Sequence, residues 1–125
     1  MTLAEKASRL LELHHAAEPL ILVNAWDVAS ARIIEQAGFP AIATTSAGVA
    51  NALGYADGQH VPWMDMMAAV RRIAQAVRVP VTADIEAGFS DSLKDLERAI
   101  EQLVEAGAVG INLEDARKEV LGMPR

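Results

Sequence analysis

Ala37-Gly38-Phe39-Pro40-Ala41-Ile42 and Ala106-Gly107-Ala108-Val109-Gly110-Ile111 share one form. Each reads as a helix end, a turning glycine and the entry to a buried strand. The segments on either side extend the pattern. Thr2-Leu3-Ala4-Glu5 is a capping-box signature, and Leu3, Ala7, Leu10, Leu11 and His14 then fall on one helical face. Leu20 to Val23 is an apolar run too short for a helix and is predicted as the first strand. Asp27 is predicted to N-cap a helix that runs to Ala37 and ends at Gly38. Ala41 to Thr44 is the second predicted strand. A long Gly-, Ala- and Ser-rich stretch from Thr45 to Val61 follows, and Pro62 suits the first position of another helix. That helix carries the stripe Met66, Val70, Ile73 and Val77. Val79 to Asp84 is predicted as the third strand. Ser92 starts a helix with the stripe Leu93, Leu96, Ile100, Leu103 and Val104, closed by Gly107. Val109 to Leu113 is the fourth predicted strand.

Alternation of this kind implies a parallel sheet with right-handed crossovers. Two closures satisfy it. An open doubly wound sheet is complete at about this length. A (β/α)₈ barrel needs about 250 residues, so 125 residues make half of one. No G-x-G-x-x-G follows the first strand, which removes the main positive sign of a dinucleotide fold.

Composition narrows the functions. Hydrophobic residues are 52% and charged residues 22%, the balance of a globular chain, while aromatics are only 4%. The core must come from Ala, Val, Ile and Leu. A net charge of −6 excludes the basic face that nucleic acid requires and suits a bound cation. The absence of cysteine excludes disulfides, thiolate metal sites and a cysteine nucleophile. No apolar run reaches the roughly 20 residues of a membrane span, and the first residues show no secretory signal, so a cytoplasmic protein is expected.

Acidic residues collect where strands end. Asp84 and Glu86 close the third strand, two apart and so on one side of an extended chain. Glu114 and Asp115 close the fourth, and Asp57 lies in the loop after the second. Such carboxylates repel one another unless a cation neutralises them. Oxygen ligands without His or Cys suit Mg²⁺. Asp91 and Asp95, by contrast, read as helix-start residues. Thr44-Thr45-Ser46-Ala47-Gly48 is small enough for backbone N–H groups to approach an anion, or is simply a turn into a short helix. His14 and His15 read as half-buried or surface residues. His60 lies near Asp57. Trp26 either walls a pocket or packs beneath the first helix.

The chain resembles the isocitrate lyase/phosphoenolpyruvate mutase superfamily, near its methylisocitrate lyase and carboxyphosphonoenolpyruvate mutase members. The likeness rests on Val23-Asn24-Ala25-Trp26-Asp27, Ala43-Thr44-Thr45-Ser46-Ala47-Gly48, Leu53-Gly54-Tyr55-Ala56-Asp57, Val81-Thr82-Ala83-Asp84-Ile85-Glu86-Ala87-Gly88-Phe89 and Gly110-Ile111-Asn112-Leu113-Glu114-Asp115. It implies the N-terminal half of a (β/α)₈ barrel over residues 1–125, a leading helix followed by four strands, with no second domain. It implies a Mg²⁺-dependent enzyme, with Mn²⁺ as a substitute, acting on a 2-oxo-acid or phosphonate/enolpyruvate-like substrate through an enolate. Carried over by position, Asp57, Asp84, Glu86 and Glu114 form the metal site, mostly through waters. Thr45, Ser46, Ala47, Gly48 and Asp84 bind substrate, and Ser46, Asp57 and Glu114 are the catalytic set.

Three departures shape the expectation. Glu86 stands where an Asp is usual. The region Ala116 to Gly122, where the lyases carry a gating cysteine, has none, so decarboxylation of an oxaloacetate-like acid fits better than aldol cleavage. The arginine that holds the substrate carboxylate belongs to the second half of the barrel. The alternative reading is a catalytically incompetent half-barrel that only binds metal or self-associates. In either case the outer strands are unpaired and a homo-oligomer is expected. Val23, Ile42, Val81 and Ile111 are expected on the barrel's interior face.

Overall fold

The computed structural model describes residues 1–115. The order is α1 (Leu3–His15), β1 (Val23–Ala25), α2 (Val28–Gln36), β2 (Ile42–Thr44), α3 (Ser46–Ala52), α4 (Trp63–Ala76), β3 (Val81–Asp84), α5 (Leu93–Ala106) and β4 (Gly110–Asn112). The sheet is parallel with strand order β1-β2-β3-β4. A doubly wound sheet reverses its order at a switch point. This one never does, so the winding is that of a barrel wall.

Local chemistry starts and stops the helices as the sequence predicts. Thr2 and Glu5 form the capping box of α1, and Asp27 caps α2 by accepting the Ser30 N–H at 2.7 Å. Ser92 caps α5, and Gly107 ends it in the left-handed region at φ +104°. Pro62 precedes α4.

The strand register sorts the side chains onto two faces. Val23, Ile42 and Val81 lie side by side, as do Asn24, Ala43, Thr82 and Gly110. Ile42 and Val81 are fully buried among Ile34, Ile73, Ala74 and Val77 of the helical layer. These apolar positions therefore face the helices rather than the interior, which corrects the expectation. Ile111, in register with Ala83 on the same face, is half-exposed. The interior face is small and polar, and α1 covers part of it. A Cβ added to Gly110 would lie 2.8 Å from both Leu10 Cδ2 and Thr82 Oγ1. Lys6 Nζ also donates to the Val77 carbonyl at 3.1 Å, tying α1 to the segment that leads into β3.

Three segments refine the expectation. The first strand starts at Val23, where pairing with Ile42 begins, and Ile21 before it stays 67% exposed. The stretch after β2 contains α3, in line with the reading of Thr44 to Gly48 as a turn into a short helix; Thr45 Oγ1 caps it by accepting the Gly48 N–H. The buried face of α5 is Ala99, Leu103 and Ala106, whereas Leu93 is 85% exposed. Small alanines let α5 approach the neighbouring layer. Ile100 and Val104 instead line an apolar cleft of about 590 Å³ shared with Leu3 and Ala7 of α1 and Val109 and Ile111.

Candidate active site

The predicted acids lie beyond the carboxyl ends of the strands, with Asp57 on the loop after α3, Asp84 and Glu86 at the end of β3 and Glu114 just beyond β4. Asp84, the last residue of β3, is held from several directions. Its Oδ2 accepts the Ser46 hydroxyl at 2.7 Å and the Ser46 N–H at 3.2 Å. Its Oδ1 accepts the Glu86 N–H at 3.1 Å, and its own N–H donates to Thr44 Oγ1. These bonds join the strand ends of β2 and β3 and fix the carboxylate with no basic partner among the described residues.

Glu86 is the most constrained residue of the site. It is buried, at 8% exposure, with a left-handed backbone at φ +52°. Its carbonyl accepts the Glu114 N–H at 2.7 Å, continuing the β3–β4 ladder beyond the strands. Its Oε2 accepts the Gln59 N–H at 3.1 Å. Burial pushes the Glu86 carboxyl above its usual range. The Gln59 N–H opposes this, and the Asp57, Asp84 and Glu114 charges add to it. All four predicted metal acids therefore share one electrostatic neighbourhood.

Among the described residues, no three acidic or imidazole side chains stand close enough to ligate one ion directly. No basic side chain pairs with the four acids among those residues either. An all-oxygen, uncompensated set at longer range fits a hard divalent cation that keeps several of its waters. Asp57 and Glu114 are exposed, on the loop after α3 and just beyond β4.

The predicted substrate segment is partly committed to the fold. The Ser46 hydroxyl proton and N–H go to Asp84, and the Gly48 N–H goes to Thr45. Ser46 thus offers oxygen lone pairs rather than a proton, and the Thr45 hydroxyl serves as a cap. Ala47 sits in the first turn of α3, where an N–H has no intrahelical partner. Gly48 is needed for close approach, since a Cβ there would lie 2.9 Å from Trp26 Cβ and 2.6 Å from Thr45 Cγ2. Trp26 is half-exposed beside this segment, which places it on the site side of β1.

Sequence reasoning missed Thr44 and Gln59. The side chain of Gln59 accepts the Phe89 N–H at 2.8 Å while its backbone holds Glu86. The only signal was the Gly58-Gln59 pair beside Asp57, and attention there went to His60, which is exposed. Lys118 and the Ala116 to Gly122 region lie outside the described residues.

The chain is similar to known proteins. A 2-methylisocitrate lyase of Escherichia coli is 31% identical over 98 residues, covering 78% of this chain and 33% of the relative. An oxaloacetate decarboxylase of Rhodopseudomonas palustris is 32% identical over 94 residues, 74% of this chain and 32% of the relative. The solved structure of a phosphonomutase-like protein from Burkholderia cenocepacia superposes with a TM-score of 0.90 at 40% identity, over 97% of this chain and 49% of that one. The chain spans about a third to a half of the length of these relatives, matching the N-terminal part of their (β/α)₈ barrels. The sequence pattern of phosphoenolpyruvate phosphomutase matches residues 10–124. The chain therefore belongs to the phosphoenolpyruvate phosphomutase family, within the superfamily that also holds the isocitrate lyases.

Proposed function

We propose that the chain carries the cation- and enolate-binding portion of a Mg²⁺-dependent lyase or mutase acting on a 2-oxo-acid or enolpyruvate-like substrate. The observation that supports this most directly is that Asp57, Asp84 and Glu114 all act electrostatically on the buried Glu86, with no basic side chain paired to any of the four among the described residues. A divalent cation bound there supplies the positive charge that stabilises an enolate as a C–C or P–C bond breaks. Asp84 takes both donors of Ser46, which leaves the Ala47 N–H in the first turn of α3 as the donor toward the substrate's oxygen atoms. Asp57 and Glu114, both exposed, would hold a bound cation through water and are the carboxylates available to accept a proton from substrate. Glu86 adds negative charge at the least hydrated point. Without a cysteine, decarboxylation of an oxaloacetate-like acid is the favoured reaction, and the likeness to an oxaloacetate decarboxylase supports it. Among the described residues β1 and β4 are the outer strands of the sheet, and self-association through them belongs to the same proposal.

The test is Mn²⁺ binding by water-proton relaxation. Asp84→Asn should weaken binding strongly, whereas Asp95→Asn, which alters only the first turn of α5 beside the Ser92 cap, should not. Equal effects would overturn the site. Oxaloacetate turnover that depends on Mg²⁺ supports the enzyme, and cation binding without turnover points to the metal-binding module.

A further inference from the structure

Three non-glycine residues among those described have positive φ: Gln59 at +62°, Glu86 at +52° and Phe89 at +53°. The left-handed region is costly for a side-chain-bearing residue and persists only where the surroundings enforce it. The three are joined directly. The Gln59 N–H donates to Glu86 Oε2, and Gln59 Oε1 accepts the Phe89 N–H. One residue of the α3–α4 loop thus grips the β3–α5 loop at two points three positions apart.

The grip is anchored on its far side. The Phe89 ring packs on Trp63 with centroids 5.4 Å apart, and Trp63 Nε1 donates to Gln102 Oε1 at 2.6 Å. Gly88, at φ +89°, has no room for a side chain, because a Cβ would lie 2.6 Å from Leu96 Cδ1. The β3–α5 loop is therefore fixed from behind by α4 and α5 and in front by Gln59. Nothing else in the described contacts holds the Glu86 carboxylate.

We infer that Gln59 is a positioning residue that sets the Glu86 carboxylate toward Asp57, Asp84 and Glu114, a role that rests on the cation reading proposed above. Partners of this kind, which orient a ligand without touching the ion, typically change metal affinity 10–100-fold when removed. The side chain is the testable half, since the backbone N–H survives substitution. Asn tolerates the left-handed region but is one methylene too short to reach Phe89. Glu keeps both the reach and the acceptor.

The experiment compares Gln59→Asn, Gln59→Ala and Gln59→Glu by native-state hydrogen exchange, urea unfolding and Mn²⁺ relaxation. Gln59→Asn and Gln59→Ala should speed exchange at the Phe89 amide and weaken Mn²⁺ binding by about 10–100-fold, with β2 and β3 still protected. Gln59→Glu should restore Phe89 protection and keep Mn²⁺ affinity near that of the parent chain. Unchanged Phe89 exchange in Gln59→Asn, or unchanged Mn²⁺ affinity once that amide is freed, would overturn the inference. If the parent chain binds no Mn²⁺, the cation reading fails, and the grip itself stands or falls on Phe89 exchange alone.

Discussion

The two ends of the sheet solve the same problem differently. At the amino ends, charged side chains serve the backbone. Glu35 Oε1 accepts the Arg78 and Val79 N–H groups, Lys6 Nζ donates to the Val77 carbonyl, and the left-handed turns fall on Gly38 and Gly107. At the carboxyl ends, left-handed backbone falls not only on Gly54, Gly58 and Gly88 but also on Gln59, Glu86 and Phe89, and four carboxylates share one neighbourhood with no basic partner among the described residues. Glycine removes the cost of a turn, whereas a side chain in the same conformation is retained for what it presents. Stability is thus concentrated at one end and chemistry at the other.

The sharpest way to break this division is to damage the helical layer. Ile73 is fully buried between α2 and the sheet. Ile73→Ala should cost about 2–5 kcal/mol in urea unfolding, with Mn²⁺ affinity unchanged in the folded fraction. A parallel loss of affinity would show that the two regions are coupled.

Gly110→Val probes the interior face beneath α1. Overpacking against Leu10 and Thr82 should cost about 1–3 kcal/mol, read as a lower thermal midpoint. A neutral result would mean that α1 moves aside freely.

Asp27→Ala removes the α2 cap and should cost about 0.5–2 kcal/mol. The Ser30 backbone N–H holds the Asp27 carboxyl below its usual range. The cap's ionic contribution is therefore complete above the unfolded-state value and is lost as pH falls through the lower folded value. Asp27→Asn should keep most of the cap and flatten that acid limb, measured by unfolding across pH 2–5.

Glu86→Gln should have the smallest effect and the opposite sign. The Glu86 carboxyl is raised, first by burial, so the folded state holds its proton more tightly than the unfolded state. Its destabilising ionisation grows as pH rises from the ordinary carboxylate value through the folded one. The Gln variant should be slightly more stable than the parent chain at pH 7 and no different at low pH, while losing Mn²⁺ affinity. A less stable variant at pH 7 would show that the carboxylate supports the fold.

The same contrast explains what the sequence made legible. Caps, glycine stops and the strand-end acids were readable because each depends on residues within a few positions of one another. The bond between Ser46 and Asp84 was not, because it joins residues 38 apart and redirects a hydroxyl proton away from substrate. Gln59 was invisible for a related reason. An uncharged residue in a loop gains its role only when the fold brings Glu86 and Phe89 against it. Ile42 and Val81 were correctly read as buried but given the wrong face, since a continuous apolar run does not reveal which side the helices will cover.

The anchoring of α1 also bears on how the chain assembles. Every strand pairs with the one before it, so the sheet can grow in step with synthesis, each new βα unit finding its neighbour already in place. Helix α1 cannot follow that schedule. Its Lys6 contact lies 71 residues away, and Leu10 meets Gly110 on the last strand. Helix α1 thus emerges ahead of all four strands yet docks only once β4 is in place, and Leu10 waits for Gly110 until then.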